Sequence, residues 1–563
     1  MGFNPRALSD AVREDLKSIL LRDPYHGDPD SAVVFAAHHL CGELFRKFQD
    51  NLPTDGVNDV ALRKFMSVND RMATSRYDGS LAFEHHAEIF GMMRDEIRSF
   101  YESLPMLDSS LIAHHGSLGP GVNLGSRATD FYSKLFGSKL TATTPTLYDM
   151  YRSYLNHFPV WREAEAARSG LGIEYVTANK MSFVPKNDKT ARVICVEPSL
   201  NMFFQLGLGR IVENGLLRRY GLRISGSSST EQDHNRELAR IGSLDGSFAT
   251  IDLSSASDSL GIQLLEQLFP RQFLAWFKLF RSPNVKLPSG EVVRLNMIST
   301  MGNGSTFPLM TLVFTSLVVS VLKHRGIFSH KERNWGVFGD DLVVPTSVFH
   351  TVVDMLGRLG FQPNADKTFG SGPFRESCGS DFFLGQSVRP VYLKTLATQQ
   401  SRYIALNRLV DWCAMTGLSL PGACELLLAS VRHIPVPSYA PIDSGIRLPA
   451  SLTKLRRNRN GSYLYKRYEP RPMRYKVNES GLEKCPDKIP RVFNPEGLFL
   501  CFLRGDVTNG YVSVRGNGAG AYRSKVLVSH NWDTEKYTLP GGNPGWPRWE
   551  AAAHRCYSGV MSP

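Results

Sequence analysis

The chain has 563 residues and a mass of 62.8 kDa, which excludes a peptide hormone or a single small binding module and leaves room for about three or four domains or one large enzyme of several subdomains. Hydrophobic residues at 42% and charged residues at 21% are globular values, so wholesale disorder is excluded. Lys and Arg number 65 against 53 Asp and Glu; the net charge of +12 favours polyanions, nucleic acid first, as partners.

Eight cysteines are scattered without a CxxC pair or a clustered His partner. That spacing argues against a structural zinc site and a disulfide scaffold and fits a reducing cytosol. The first fifteen residues mix charges and lack the apolar stretch of a secretion signal. The most apolar run, 307–322, contains Pro308, Thr311, Thr315, Ser316 and Ser320, and predicts a buried helix, with no membrane span.

In chain order, residues 1–245 read as mainly helical with long polar loops. Near their end FVPKNDKTARVICVEP places Lys186, Lys189 and Arg192 just before an apolar strand. Three such cations converging on a cleft would neutralise a triphosphate and its leaving pyrophosphate; left in solvent, they form an ordinary basic loop. From Ser247 the texture changes. FATI predicts a short strand ending at Asp252, followed by a helix opened by Ser254, Ser255, Ser257 and Asp258, with Leu264, Leu265, Leu268 and Phe269 on one face. Asp252 and Asp258 then either cap that helix or face a cleft at the edge of a sheet. VKLPSGEVVRL predicts a hairpin turning at Pro288, Ser289 and Gly290. In STMGNGSTFPLM, Gly302 and Gly304 permit a turn, while Asn303, Ser305 and Thr306 offer hydrogen bonds that can read a ribose hydroxyl or merely decorate a polar loop.

WGVFGDDLVVP sets Asp340 and Asp341 between apolar triplets, which predicts a tight hairpin with two adjacent carboxylates at its tip. Like charges beside an apolar sheet repel and lose solvation, so a divalent cation compensates them unless the turn is simply solvated. Val348, Val352, Met355, Leu356 and Leu359 form a helical stripe with Ser347 as N-cap and Gly360 past its end. After residue 396 come helices in YIALNRLVDWC and ACELLLASV, then a basic segment and a β-rich tail. That segment, from Lys454 to Lys476, carries Arg456, Arg457, Arg459, Lys466 and Arg467 among its cations, a single acid, Glu469, and the interleaved Tyr463, Tyr465, Tyr468 and Tyr475. It reads either as a grip on single-stranded RNA, with tyrosines stacking on bases, or as a solvated linker.

Nucleotidyl transfer needs two metal ions about 3.5 to 4 Å apart, which carboxylates on two neighbouring strands can hold. The order of segments, a basic loop, an Asp-ended strand, a Gly and Asn loop with its helix, then the GDD hairpin, is that of polymerase motifs F, A, B and C. The chain resembles the viral RNA-dependent RNA polymerases. It is most similar to the replicase catalytic (β) subunits of small positive-strand RNA bacteriophages, across VPKN, DGSFATIDLSSASDS, STMGNGSTF, FGDD and ADKTFGSGPFRESCG. The resemblance is strong from Met181 to Lys394 and thin outside.

That resemblance implies an α+β right-hand polymerase fold with an antiparallel palm sheet and a helical thumb. It divides the chain into an N-terminal region and fingers at 1–245, including a basic entry loop at 183–197; a palm at 246–395 carrying motifs A to E, with 263–300 partly fingers; and a thumb with a basic, β-rich end at 396–563. It makes Asp252, Asp340 and Asp341 ligands of two Mg2+, or Mn2+, ions. Asp258 and Asn303 become selectors of ribose, although Asp258 lies one residue further from Asp252 than is common in related polymerases. Lys186, Lys189 and Arg192 face the incoming triphosphate, and Lys367 is the candidate general acid for the leaving pyrophosphate. Phe338 stands where many relatives have Tyr. The implied activity is RNA-directed RNA synthesis on a phage genome in the host cytoplasm, with RNA template and product, NTPs, host elongation factors Tu and Ts and a ribosomal RNA-binding protein as partners. A reverse transcriptase and a non-catalytic RNA-binding protein are the alternatives.

Overall fold

The structure is a computed structural model that describes residues 3–557 apart from 26–29, 50–53, 78–82, 120, 127–130, 188, 227–229, 328–332, 472–473, 479–480, 483–493, 504–506, 509–510, 514–520 and 535–543. The helix Thr306–His324 is apolar on all sides, and the fold buries it on all sides, from Pro308 through Leu322. By length and composition it could cross a membrane, but here it is the central helix of the interior, packed against the helices Glu84–Glu102 and Ser199–Tyr220.

Beside it lies a three-stranded antiparallel sheet in the order Phe248–Ile251, Asp341–Pro345, Gly336–Phe338. Residues 249–251 and 342–344 are buried without alternation, because the helix Thr230–Asp245 also packs on this sheet. The basic hairpin pairs Asn179–Pro185 with Ala191–Val196, and through the first of these strands joins the expected hairpin of Asn284–Lys286 and Val292–Arg294 in one four-stranded sheet.

Two large cores result. One runs from Ile89 to Phe361 and includes the central helix and sheet. The other joins Leu8 to Phe48 with residues between Phe383 and Tyr557, so the helices Pro5–Asp15 and Ser31–Glu43 pack with Gln399–Thr416, Pro421–Leu428 and Trp546–Tyr557. The 1–245 zone of the sequence is therefore shared between these two cores and a smaller third, which packs Ala61 to Met72 on the basic hairpin.

Several local expectations change. No helix opens at Ser254: Leu253–Ser254 pairs with Gln362–Pro363, Ser255 takes a positive φ of 55°, and a 3-10 turn over Ala256–Asp258 precedes the helix Ile262–Leu268. Ser347 lies in a 3-10 turn, Thr346–Val348, ahead of the helix Phe349–Arg358, and so is not its N-cap; Gly360 does follow the end, at φ +88°. The basic segment is no linker, since Tyr463–Pro470 pairs along its whole length with Tyr522–Ser529.

Phe314, fully buried in the central helix, meets Phe361 edge to face at 4.8 Å. Phe314→Ala is expected to cost about 3–5 kcal/mol of stability, read as a lower thermal-unfolding midpoint; an unchanged midpoint would contradict this packing.

Candidate active site

Strand register builds the site. Leu342 pairs with Ile251, so the next step along the ladder sets Asp252 level with Asp341. On the other edge of the same strand, Thr250 bridges Phe369, with Thr250 N–H donating to Phe369 O (3.0 Å) and Phe369 N–H to Thr250 O (2.8 Å). Two residues back from Phe369, at the end of a 3-10 turn over Ala365–Lys367, Lys367 comes into the charge field of Asp252. One strand thus presents its terminal carboxylate between an acid and a base.

The expected GDD hairpin is present, with Gly339 and Asp340 as its two-residue loop. Gly339 has φ +62° while Asp340 does not enter the positive region, the pattern of a type II′ turn. A Cβ on Gly339 would lie 2.3 Å from the Phe307 ring, and the Gly339 N–H donates to Thr311 Oγ1 at 3.2 Å. The turn is therefore pinned to the first turns of the central helix, and Phe338 completes the contact edge to face with Phe307 at 4.9 Å.

Burial raises the Asp340 carboxyl above its ordinary value, and Asp252 raises it further, while Arg192 and Lys367 pull it down. Asp341 is pushed up to about 7 by burial first, then by Asp340 and Asp252. The three carboxylates share one field. Asn364 holds the third, its Nδ2 donating to Asp252 Oδ2 at 2.8 Å and its backbone N–H to Asp252 O at 2.9 Å. Among the described residues no three Asp, Glu, His or Cys side chains already close around an ion. The donor set fits hard divalent cations all the same: carboxylate oxygens on adjoining strands whose charge is costly without a counter-ion.

Cations approach from two directions. Arg192 lies inside the second strand of the basic hairpin, opposite Val184, and Lys186 sits at its turn. Burial lowers the Lys186 pKa, followed by Arg192 and Lys367, with Asp252 opposing. Lys189 is exposed at the hairpin tip, its backbone N–H on Asn187 Oδ1 at 3.0 Å, and no described contact brings its side chain to the carboxylates. Lys367 donates to Glu376 Oε1 at 2.8 Å; burial opposes its charge, but Glu376 and Asp252 outweigh burial and raise its pKa.

The sequence reading missed a strap from the N-terminal region. Asn187 Nδ2 donates to Arg46 O at 3.0 Å and Gln49 Nε2 to Lys186 O at 3.3 Å, which brings Lys47 beside Arg389 and Lys367. No local pattern around residue 46 signals this contact. Asn364, by contrast, immediately precedes the ADKTFGSGPFRESCG stretch that carries the resemblance.

Asp258 caps no helix. Its Oδ1 accepts from the Met301 N–H at 3.1 Å, and burial pushes its carboxyl up to about 6. This bond joins it to the loop of Asn303, whose Oδ1 accepts from the Ser305 N–H and Oγ, both at 2.9 Å. In the basic segment, Tyr463 and Tyr465 are buried, with ring centroids 5.2 and 5.3 Å from Trp532, and offer no face to a base. Their place on alternate positions of a strand turns both inward. Arg467 is paired with Glu469 at 2.6 Å, whereas Arg456, Arg457, Arg459 and Lys466 are exposed.

Comparison with known proteins places this arrangement in a class, the viral RNA replicases. Residues 20–439 match the family described as RNA replicase, beta-chain. The RNA-directed RNA polymerase beta chain of Enterobacteria phage fr is 33% identical over 72% of this chain and 74% of its own, and that of Escherichia phage MS2 32% over 77% of each. The subunit beta of Escherichia virus Qbeta is 31% identical over 73% of this chain and 67% of its own. The chain belongs to the RNA replicase beta-chain family, and its α+β build is that of a polymerase. Likeness to a solved human picorbirnavirus RNA-dependent RNA polymerase is looser, with TM-score 0.46 and 14% identity over 76% of this chain and 85% of the other, and the assignment does not lean on it.

Because the folded-state pKa of Asp341 lies above its ordinary 3.8, the metal-free protein loses stability as pH rises from there to about 7. Asp341→Asn is expected to flatten that loss in thermal melts. Above neutral pH, Mg2+ should raise the midpoint of the wild type and not of the variant; an equal rise in both would remove Asp341 from the ion's ligands.

Proposed function

We propose that this RNA-directed RNA polymerase, so named in its relatives, extends the 3′ end of a nascent strand on an RNA template by nucleotidyl transfer centred on Asp252, Asp340 and Asp341. The observation that carries this reading is the register that sets Asp252 level with Asp341, with Lys367 in the field of both Asp252 and Asp340. Divalent ions bound by the three carboxylates would activate the attacking hydroxyl and neutralise the triphosphate. Arg192 and Lys186, which share the field of Asp340 and Asp252, bind and orient the phosphates, with Lys189 at the hairpin tip meeting them on entry. Lys367, kept protonated by Glu376 and Asp252, gives its Nζ proton to the leaving pyrophosphate. Asp258 and Asn303, on segments joined through Met301, orient the ribose.

In this reading the palm spans 246–395, the fingers lie within 1–245, and the thumb comprises 396–563 together with the N-terminal helices that share its core. The exposed Arg456, Arg457, Arg459 and Lys466 grip RNA phosphates without help from Tyr463 or Tyr465. Family likeness alone supports host elongation factors Tu and Ts, a ribosomal RNA-binding protein and a cytoplasmic place of work.

Asp340→Asn is expected to lower nucleotide incorporation about a thousandfold or more while RNA binding, measured by filter retention, is largely kept; unchanged incorporation would remove the catalytic centre from this hairpin. Arg456→Ala with Arg459→Ala should reduce the log–log salt slope of single-stranded RNA binding by about 0.7 for each phosphate that is no longer neutralised. An unaltered slope would leave those arginines without a role in the grip.

A further inference from the structure

Beneath the loop of Asn303 runs a buried hydrogen-bonded chain that takes no part in the nucleotidyl transfer proposed above. Gln205, on the helix Ser199–Tyr220 and 1% exposed, accepts at Oε1 from the Gly304 N–H at 3.0 Å. Its Nε2 donates to Phe280 O at 2.9 Å and to Glu197 Oε2 at 3.2 Å. Only this orientation of the amide serves all three partners, because an N–H must meet the carbonyl end and two acceptors must meet the NH2. Glu197 is equally buried. It also takes Asn179 Nδ2 at 2.8 Å on Oε1 and Ser282 Oγ at 2.7 Å on Oε2, so it is fixed from separate elements and fixes Gln205 in turn.

The loop itself lies flush on what supports it. The Cys195 N–H donates to Met301 O at 2.8 Å, and Gly302, at φ +115°, comes so close that a Cβ would lie 2.2 Å from Cys195 O. A Cβ on Gly304 would meet the Leu206 side chain at 2.8 Å. Asn303 therefore stands between two anchors: Met301, held by Cys195 and Asp258, and Gly304, held by Gln205.

We propose that Gln205 is a positioning residue for sugar discrimination: by holding the Gly304 amide it fixes the orientation of Asn303 relative to Asp258. The proposal rests on the assignment of Asn303 and Asp258 to the ribose. A site arranged to hydrogen-bond a substrate hydroxyl rejects an analogue that lacks it, and that rejection weakens when the bonding group is free to turn. Withdrawing Oε1 releases the Gly304 anchor and leaves the Met301 anchor, the carboxylates and the basic hairpin in place. The loss accordingly falls on recognition of the 2′-hydroxyl and shows in KM more than in kcat.

The test compares kcat/KM for adenosine triphosphate and its 2′-deoxy analogue on one RNA template. In Gln205→Met, which fills the volume without the polar atoms, the ratio is expected to fall about three- to tenfold, chiefly through a higher KM for the ribonucleotide. Gln205→Asn, whose amide stops one methylene short, replaces it should the Met variant not fold. Leu216→Ala, a buried change near the far end of the same helix, is expected to lower the melting temperature and leave the ratio alone. An unchanged ratio in the Gln205 variants, alongside a reduced one in Asn303→Ala, overturns the positioning role. An unchanged ratio in Asn303→Ala itself overturns the ribose assignment beneath it.

Discussion

The site depends on how one short strand is paired. Phe248–Ile251 has partners on both edges, Asp341–Pro345 on one and the Phe369 segment on the other. A slip of one residue against Asp341–Pro345 would move Asp252 out of line with Asp341 and reverse the faces. The pairing is held at several points. Thr346 N–H donates to Ser247 O at 2.9 Å beyond one end, and the buried Arg375 donates from Nε to Phe248 O at 2.7 Å. Backbone geometry therefore delivers the charged groups, and the apolar packing of the sheet stabilises an arrangement that their mutual repulsion opposes.

That opposition has a chemical use. Asp340 is raised by burial and by Asp252, and Asp341 by burial, Asp340 and Asp252, while Arg192 and Lys367 offset only part of this at Asp340. A fully compensated cluster would have little affinity for cations, and a fully solvated one would gain little by binding them. The cations in turn are divided by their own partners. Lys367 has Glu376 and Arg389 has Asp381, whereas Lys47 and Lys186 are depressed by burial and by neighbouring cations. The site thus has an acidic and a basic side, which in the proposed reaction serve the metal and the polyphosphate respectively.

How much of this was legible varies with the distance over which each feature is determined. The strand ending at Asp252 and the hairpin at Gly339 and Asp340 were readable because apolar runs and turn residues are local signals, and the structure has both. The helix expected from Ser254 was not, because Leu253–Ser254 is claimed by pairing with Gln362–Pro363, more than a hundred residues away. Arg46 and Lys47 reach the site only through tertiary contacts with the hairpin turn. Tyr463 and Tyr465 are a different case. Their alternation with Leu464 and Lys466 already said that they share a face, and the Trp532 that covers it is supplied by the chain just beyond the partner strand Tyr522–Ser529. Tyrosines among arginines suggested stacking on bases; a period of two was the better guide to burial.

Phe338 shows the same logic at the acidic turn. The ring packs on Phe307, the residue that also forbids a side chain at Gly339, and Thr311 one turn further along the helix receives the Gly339 N–H. The Phe338 ring, the bare Cα of Gly339 and the Gly339 amide are thereby fitted to one end of the central helix. The same end opens from the loop of Asn303, where the Thr306 hydroxyl donates to Thr300 O at 3.0 Å. The loop of Asn303 and the acidic turn are thus two sides of one helix terminus. A hydroxyl on residue 338 is unnecessary to that fit: the contact is made by the ring, and the turn is held by the amide.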